Sequence, residues 1–192
     1  PNQTGVDYYH RLFKCCIDNG VTPYVSLHHF DSPKTLFEDG DWLNRKNIDY
    51  FVDYADFCFK EFSEIENWFT INELISLAFS QYIQGNFPPN HHFDVSNAIQ
   101  AEHNELLVDA RVVNLFKDKG YSGRIGLIHV LQPVYPYPNT PENAHAAQCE
   151  DAFMNTFLLD GTFKGEYEPD TMKLVNEVLK ANDAHLTIEP GD

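Results

Sequence analysis

Apolar and polar positions follow two different periods along this chain, one typical of helices and one typical of buried strands. Apolar side chains three or four positions apart predict helices over residues 6–17, 45–62, 94–118, 142–158 and 170–181. Short continuous apolar runs predict strands buried on both faces over residues 22–27, 67–71 and 124–130. A fourth strand is expected near His185. Helices and strands therefore alternate.

This alternation predicts an α/β fold with a parallel sheet covered by helices. The loops that follow the strands are longer than the loops that precede them, which is typical of a (β/α) barrel with one functional face. A doubly wound sheet has the same alternation, so the pattern alone leaves both folds open. No glycine-rich phosphate loop is present, which argues against a nucleotide-binding version. Residues 1–192 show no linker and are expected to form a single segment.

Composition narrows the class of protein. Hydrophobic residues make up 43% of the 192 residues, so a sizeable core is expected. The net charge of −16 makes nucleic acid an unsuitable partner, because phosphate contacts need clustered cations. No apolar stretch approaches the roughly 20 residues that cross a bilayer, so no membrane partner is expected. The four cysteines show no C-x-x-C spacing, and a reducing, cytoplasmic setting is favoured.

Polar side chains follow the first two predicted strands at the point where each strand ends. The first run leads into His28-His29-Phe30-Asp31, and the second into Asn72-Glu73. A carboxylate at the end of a buried strand is costly unless it is paired or used, and barrels build active sites from strand ends. Glu73 is therefore a candidate general acid/base for glycosidic bond cleavage. The alternative is a helix cap or a structural ion pair.

Three further positions are candidates for sugar binding. Asn72 can hydrogen-bond a sugar hydroxyl, or it can satisfy backbone groups in the turn. His28 and His29 point to opposite faces of a strand, so only one of them can face the interior of a barrel. His29 is the candidate, with a core histidine as the alternative. Aromatic side chains can form a platform for a sugar ring, although most aromatics are core residues; the candidates are Phe30, Trp42 and Tyr82.

Metal, cofactor and serine-nucleophile chemistry have no motif here. The pairs His28-His29 and His91-His92 are neighbours rather than residues four apart, and no H-E-x-x-H occurs, so no metal is expected. No G-x-S-x-G turn is present, and no cofactor is expected. The acidic cluster Glu102, Glu105 and Asp109 lies on a predicted helix and is most simply a solvated face.

Longer stretches of the sequence resemble family 1 glycoside hydrolases. Thr-Ile-Asn-Glu at 70–73 resembles the acid/base motif of that family, and Leu-His-His-Phe-Asp-Ser-Pro at 27–33 resembles its sugar-binding motif. Residues 41–46, 50–55, 81–89 and 103–104 also match. With His29-Phe30 and Ile128-His129-Val130, the chain looks most like the bacterial 6-phospho-β-galactosidases of that family.

The resemblance implies a (β/α)₈ TIM barrel and a retaining double displacement on phosphorylated β-galactosides. Glu73 would protonate the leaving group and then deprotonate water, Asn72 would hold the sugar 2-hydroxyl, and His29 would bind another ring hydroxyl. The chain departs from the family at Leu74, where a proline is common, and at Asp109, where a histidine is common. Both positions lie outside the proton-transfer step.

A retaining mechanism also needs a second carboxylate as the nucleophile. The family takes it from an E-N-G-type motif on a late strand, and this chain has no such motif. The chain is therefore expected to be a partial TIM barrel, roughly strands three to six, incomplete at both ends and inactive alone; its first residue, Pro1, also suggests a fragment. The alternative is a truncated barrel that acts only as a non-catalytic module, self-associating through exposed sheet edges.

Overall fold

The computed structural model describes residues 1–192 and contains one parallel sheet of three strands. The strands are β1 (Val25–His28), β2 (Asn67–Asn72) and β3 (Arg124–Ile128). They lie in the order β1-β2-β3, so consecutive strands are neighbours and β2 is central. Val25 lies opposite Trp68, and Asn67 lies opposite Arg124. The predicted parallel sheet is confirmed, with β1 and β3 as its two edges.

Eight helices connect and cover the strands. They are α1 (Gln3–Asp18), α2 (Lys34–Glu38), α3 (Lys46–Glu61), α4 (Leu74–Ala78), α5 (Val95–Asp118), α6 (Pro141–Asp151), α7 (Phe157–Lys164) and α8 (Pro169–Ala181). A π-helical turn at Phe79–Ile83 extends α4, and a second at Ala152–Thr156 joins α6 to α7. No helix combines the length and the apolar character that a membrane crossing requires.

Side chains at the helix starts explain several of these boundaries. The side chains of Asn2, Asp94 and Thr140 accept hydrogen bonds from backbone N–H groups in the first turns of α1, α5 and α6. These N–H groups have no partner within the helix, so each acceptor stabilises the start of its helix by roughly 1 kcal/mol. The boundaries predicted for α1, α3, α5 and α8 are correct to within a few residues, whereas the single helix predicted over residues 142–158 is divided into α6, a π-helical turn and α7, which ends at Lys164.

One continuous hydrophobic core lies between the sheet and the helices. Its centre includes an aromatic cluster in which Phe59 of α3 contacts Trp68 of β2 and Phe116 of α5, with ring centroids 5.1 and 5.0 Å apart. Edge-to-face aromatic pairs add to the burial of apolar area. This packing holds β2 against α3 and α5, and so fixes the position of the strand end that carries Asn72.

The prediction of a solvated acidic face on α5 is wrong. Glu102 and Glu105 are fully buried, and Asp109 is only 8% exposed. The reason is that α5 packs against α3, α4, α7 and β2, which leaves little of its surface in contact with water. Burial raises the pKa of all three carboxyl groups, which favours their neutral forms.

The fourth strand expected near His185 is absent, so the sheet has three strands rather than the four of strands three to six. The backbone there bonds to side chains of α5 instead of to a strand edge. The N–H of His185 donates to Ser96 Oγ at 3.1 Å, and the N–H of Thr187 donates to Gln100 Oε1 at 2.9 Å. These contacts satisfy the backbone groups that a strand would otherwise pair.

Candidate active site

Strands β1 and β2 end side by side at the same edge of the sheet. The two strands are parallel neighbours, and His28, the last residue of β1, lies opposite Ile71. His29 therefore follows β1 at the level where Asn72 and Glu73 follow the buried part of β2. The predicted arrangement of His29 and Glu73 at the carboxyl ends of adjacent parallel strands is confirmed.

Asn72 and His29 contact each other directly. Asn72 is buried, His29 is exposed, and Asn72 Nδ2 lies 3.4 Å from His29 Nε2. The amide donates in this long hydrogen bond when the neutral imidazole carries its proton on Nδ1. The amide oxygen of Asn72 and the other edge of the imidazole then remain as hydrogen-bonding groups beside the end of the sheet.

Glu73 adopts a backbone conformation that is uncommon for a residue with a side chain. Its φ of 51° and ψ of 69° lie in the left-handed region, where a non-glycine residue costs about 1 kcal/mol or more and which is frequent at functional sites. Its N–H donates to the carbonyl of Ile128 at 2.8 Å, which ties the end of β2 to the end of β3. Its half-buried carboxylate is therefore held at a fixed point of the sheet edge that carries His29, Asn72 and Glu73, which is called the rim below.

Ser76 is a residue of this site that the sequence analysis missed. Its Oγ donates to Glu73 Oε2 at 2.9 Å. Glu73 directly precedes α4, and Leu77 N–H donates to its carbonyl. The signal was the three-residue spacing from Glu73 to Ser76, which brings two side chains together only when a helix starts directly after the glutamate. No helix was predicted there.

His28 points away from this site and into the hydrophobic core between the sheet and the helices. It is 5% exposed and packs against the rings of Trp42 and Phe51, at centroid distances of 5.1 and 6.3 Å. Burial lowers its pKa to about 4, and the nearby carboxylates of Asp41 and Asp31 offset only part of this shift. The choice of His29 over His28 as the candidate at the rim therefore agrees with the structure.

Two of the three candidate platform aromatics are core residues. Trp42 and Tyr82 are 4% and 2% exposed, so neither ring face is open to a sugar, and their proposal as a platform is wrong. Trp42 lies in a short helical turn before α3 and Tyr82 in the π-helical turn after α4, and both turns pack against α5. Phe30 is half-buried beside His29, with its ring centroid 5.7 Å from that of Phe87.

Two cavities flank the strand ends. One, of about 360 Å³, is bordered by Phe30, Lys34, Leu77 and Phe87. The other, of about 170 Å³, includes Ser76 on its wall. Neither cavity is lined by His29, Asn72 or Glu73. A sheet of three strands does not close on itself, so the three candidate residues lie on an open rim instead of in an enclosed pocket.

The basic residues nearest in sequence to this rim differ in their availability. Arg45 bonds through its guanidinium to the Asp192 carboxylate, with Nη1 and Oδ2 3.0 Å apart, and Glu189 lies beside it. Lys34 is largely exposed and has only Glu38 nearby, at 3.5 Å. The Arg45 charge is therefore compensated within the chain, whereas Lys34 is bound only to an exposed neighbour on its own helix.

Curated proteins match this chain in sequence over its whole length. At 55% identity the chain is similar to 6-phospho-beta-galactosidase 1 of Streptococcus pneumoniae, and at 50% to the 6-phospho-beta-galactosidase of Staphylococcus epidermidis. Each match covers the whole of this chain and 41% of the relative, so the chain spans less than half the length of the curated relatives that it matches.

Solved structures of beta-glucosidases are also similar to this chain, at lower sequence identity. A beta-glucosidase from Exiguobacterium marinum matches with a TM-score of 0.88 and 33% identity, over 100% of this chain and 43% of that one. The GH1 beta-glucosidase from Exiguobacterium antarcticum matches with a TM-score of 0.87 and 31% identity, over 99% and 42%. The sequence model of glycosyl hydrolase family 1 matches residues 1–190. The chain therefore belongs to glycosyl hydrolase family 1.

Proposed function

We propose that this chain is the acid/base segment of a retaining β-glycosidase that hydrolyses O-glycosyl bonds of phosphorylated β-galactosides. The observation that carries the proposal is the position of His29, Asn72 and Glu73 at one edge of the sheet, at the ends of adjacent parallel strands. Barrel enzymes use this edge for catalysis. The identity to relatives named 6-phospho-beta-galactosidases supports the substrate class.

In this proposal Glu73 performs both proton transfers. Its carboxyl group protonates the leaving oxygen in the first step, and its carboxylate deprotonates the attacking water in the second. The hydrogen bond from Ser76 Oγ to Glu73 Oε2 orients the carboxyl group, which leaves Oε1 for the substrate. Asn72 holds the 2-hydroxyl of the sugar, and His29 binds a second ring hydroxyl.

The nucleophile is proposed to lie outside residues 1–192. A retaining mechanism needs a second carboxylate about 5–5.5 Å from the first. The buried carboxylic acids of α5 do not suit this role, because Glu102 and Glu105 are fully enclosed by the helical layer. We therefore propose that these residues form part of a longer barrel, that the isolated chain is inactive, and that the setting is cytoplasmic.

Activity measurements on the isolated chain and on a completed barrel test the missing nucleophile and the proposed glycosidase function separately. In the completed barrel, residues 1–192 replace the matching segment of the Streptococcus pneumoniae relative, to which they are 55% identical. We expect no turnover of nitrophenyl β-galactoside 6-phosphate by the isolated chain and clear turnover by the chimera. If the isolated chain showed turnover and Glu73→Gln abolished it, the proposal that the nucleophile lies outside residues 1–192 would be wrong. A folded chimera without activity would contradict the proposed function.

A non-catalytic, self-associating module is the second candidate function. The observation in its favour is that β1 and β3 both have an unpaired edge, which offers backbone groups to another chain. The same chimera distinguishes the candidates, because a module without catalytic function has no reason to restore hydrolysis. Retained Glu73-dependent turnover favours the glycosidase.

The phosphate of the substrate is proposed to bind outside this chain. A 6-phospho-sugar carries close to two negative charges near neutral pH, whereas this chain carries −16. Calorimetry on the isolated chain at low salt is expected to give no preference for galactose 6-phosphate over galactose. A clear preference that Lys34→Ala removes would instead place a phosphate contact beside the cavity that Lys34 borders.

A further inference from the structure

A cluster of three different ligand types lies on the outer helical layer, away from the rim that carries Glu73. His145 and Cys149 are four residues apart on α6, and Glu177 extends from α8. One donor atom from each residue can be chosen so that all three lie within 4.8 Å of one another. The sequence analysis missed this cluster because it considered only the paired histidines and the H-E-x-x-H motif.

The donor atoms are already directed at one another. His145 Nε2 lies 2.6 Å from Glu177 Oε2 and 3.7 Å from Cys149 Sγ. Residues four apart share one face of a helix, so the imidazole and the thiol are presented together toward α8. A surface ion pair explains the contact between His145 and Glu177, but it does not explain why the Cys149 thiol lies beside the same imidazole nitrogen.

We propose that His145, Cys149 and Glu177 form a binding site for a zinc-type divalent cation that joins α6 to α8. A thiolate, an imidazole nitrogen and a carboxylate oxygen are the ligands that Zn²⁺ prefers. Around a tetrahedral ion with bonds of about 2.0–2.3 Å, neighbouring ligand atoms are roughly 3.3–3.8 Å apart. The separation between Sγ and Nε2 already fits, and Glu177, a half-exposed side chain, moves by less than about 1 Å to fit as well.

The charges around the site are mixed, with an acidic side on α6. Helix α6 carries Glu142, Glu150 and Asp151 and no lysine or arginine, whereas α8 carries Lys173 and Lys180, four residues before and three residues after Glu177. The chain as a whole has a net charge of −16, which raises the local concentration of cations. Three protein ligands leave a fourth position for water. The site does not depend on the proposed glycosidase function, because none of its residues belongs to the rim.

The test is a titration of the reduced, chelator-treated 192-residue chain with zinc sulfate, in competition with a chromophoric indicator. We expect one equivalent to bind, and we expect Cys149→Ser to lower the affinity by roughly 100-fold, since even the loss of an outer partner costs 10–100-fold. Cys15→Ser is the matched control, because Cys15 is an exposed thiol on α1. Its affinity should equal that of the unchanged chain.

Cobalt supplies a readout that a purely structural role would not change. Bound to the unchanged chain and to Cys15→Ser, Co²⁺ should show a thiolate-to-metal charge-transfer band, which Cys149→Ser should lack. His145→Gln and Glu177→Gln should each weaken zinc binding while the metal-free circular dichroism spectrum stays unchanged. Equal zinc affinity in Cys149→Ser and Cys15→Ser, or a band that survives in Cys149→Ser, would overturn the proposal.

Discussion

The rim of the sheet and the interior of the helical layer hold the same residue types in opposite conditions. At the rim, Glu73 is half-buried and accepts a hydrogen bond from Ser76, and His29 is exposed. In the interior, the carboxyl oxygens of Glu102 and Glu105 are buried and make no hydrogen bond within the chain. The rim groups can meet a substrate, whereas the interior groups cannot.

This difference shows that a buried charge-bearing group is not by itself a sign of catalysis. An enclosed carboxyl group becomes neutral, because desolvation penalises its charged form more than any partner compensates here. The desolvation of such a carboxyl group lowers the free energy of unfolding. A catalytic carboxylate needs access to substrate and a fixed orientation, and Glu73 at the end of β2 is half-buried with one carboxylate oxygen held by Ser76.

The first prediction concerns His28, the last residue of β1, and His29, which follows it. The folded-state pKa of His28 is about 4, below its usual 6.5, so the unfolded chain binds the additional proton between these values. The contribution of His28 to the free energy of unfolding should therefore fall by about 3 kcal/mol as the pH drops from 6.5 to 4. His28→Phe should remove this fall, as measured by urea denaturation at several pH values.

The matched variant is His29→Phe, which should retain the pH dependence because it leaves the buried His28 in place. Its stability at neutral pH should lie within about 0.5 kcal/mol of that of the unchanged chain. If His28→Phe and His29→Phe alter the pH dependence equally, the assignment of His28 to the hydrophobic core and of His29 to the rim is wrong.

The second effect concerns the carboxyl groups of α5. Burial raises the pKa of Glu105 well above 4.5, and Glu102 and Asp41 raise it further. The folded state therefore holds a proton that the unfolded chain releases above that pH. The contribution of Glu105 to the free energy of unfolding should therefore decrease as the pH rises, by about 1.4 kcal/mol per pH unit where the dependence is steepest.

Glu105→Gln replaces the group with a neutral side chain of the same shape, so its denaturation curves should show a shallower decrease with rising pH. Glu150→Gln on the exposed face of α6 is the control and should keep the original slope. An unchanged slope in Glu105→Gln would mean that this carboxyl group is ionised in the folded protein and that a counter-charge has been overlooked.

Local sequence patterns were sufficient for the three strands, for most of the long helices and for the position of the rim. Continuous apolar runs located all three strands, and helical spacing located α1, α3 and α5 to within a few residues. Consecutive strands became neighbours, as short connections favour, so the meeting of His29 with Asn72 followed from their places at the strand ends. The family resemblance assigned the roles, which remain to be tested.

The errors arose where tertiary contacts decide. The polarity of Glu102 and Glu105 suggested a solvated face, but α5 is enclosed on most sides, which no local pattern reveals. The apolar positions near His185 looked like a strand, but side chains of α5 pair with that backbone. The contact of Glu177 with His145 joins residues 32 apart in the chain, and only the packing of α6 on α8 brings them together.

The most direct test of the central claim, that Glu73 is the general acid at the rim, is the dependence of the Glu73→Gln defect on the leaving group. It is measured as kcat/KM in the chimeric barrel, with phenyl and dinitrophenyl β-galactoside 6-phosphates. A general acid matters most for a poor leaving group, so the phenyl substrate should lose about 10²–10⁴-fold and the dinitrophenyl substrate far less. Equal losses for both substrates, or no loss for either, would contradict the account.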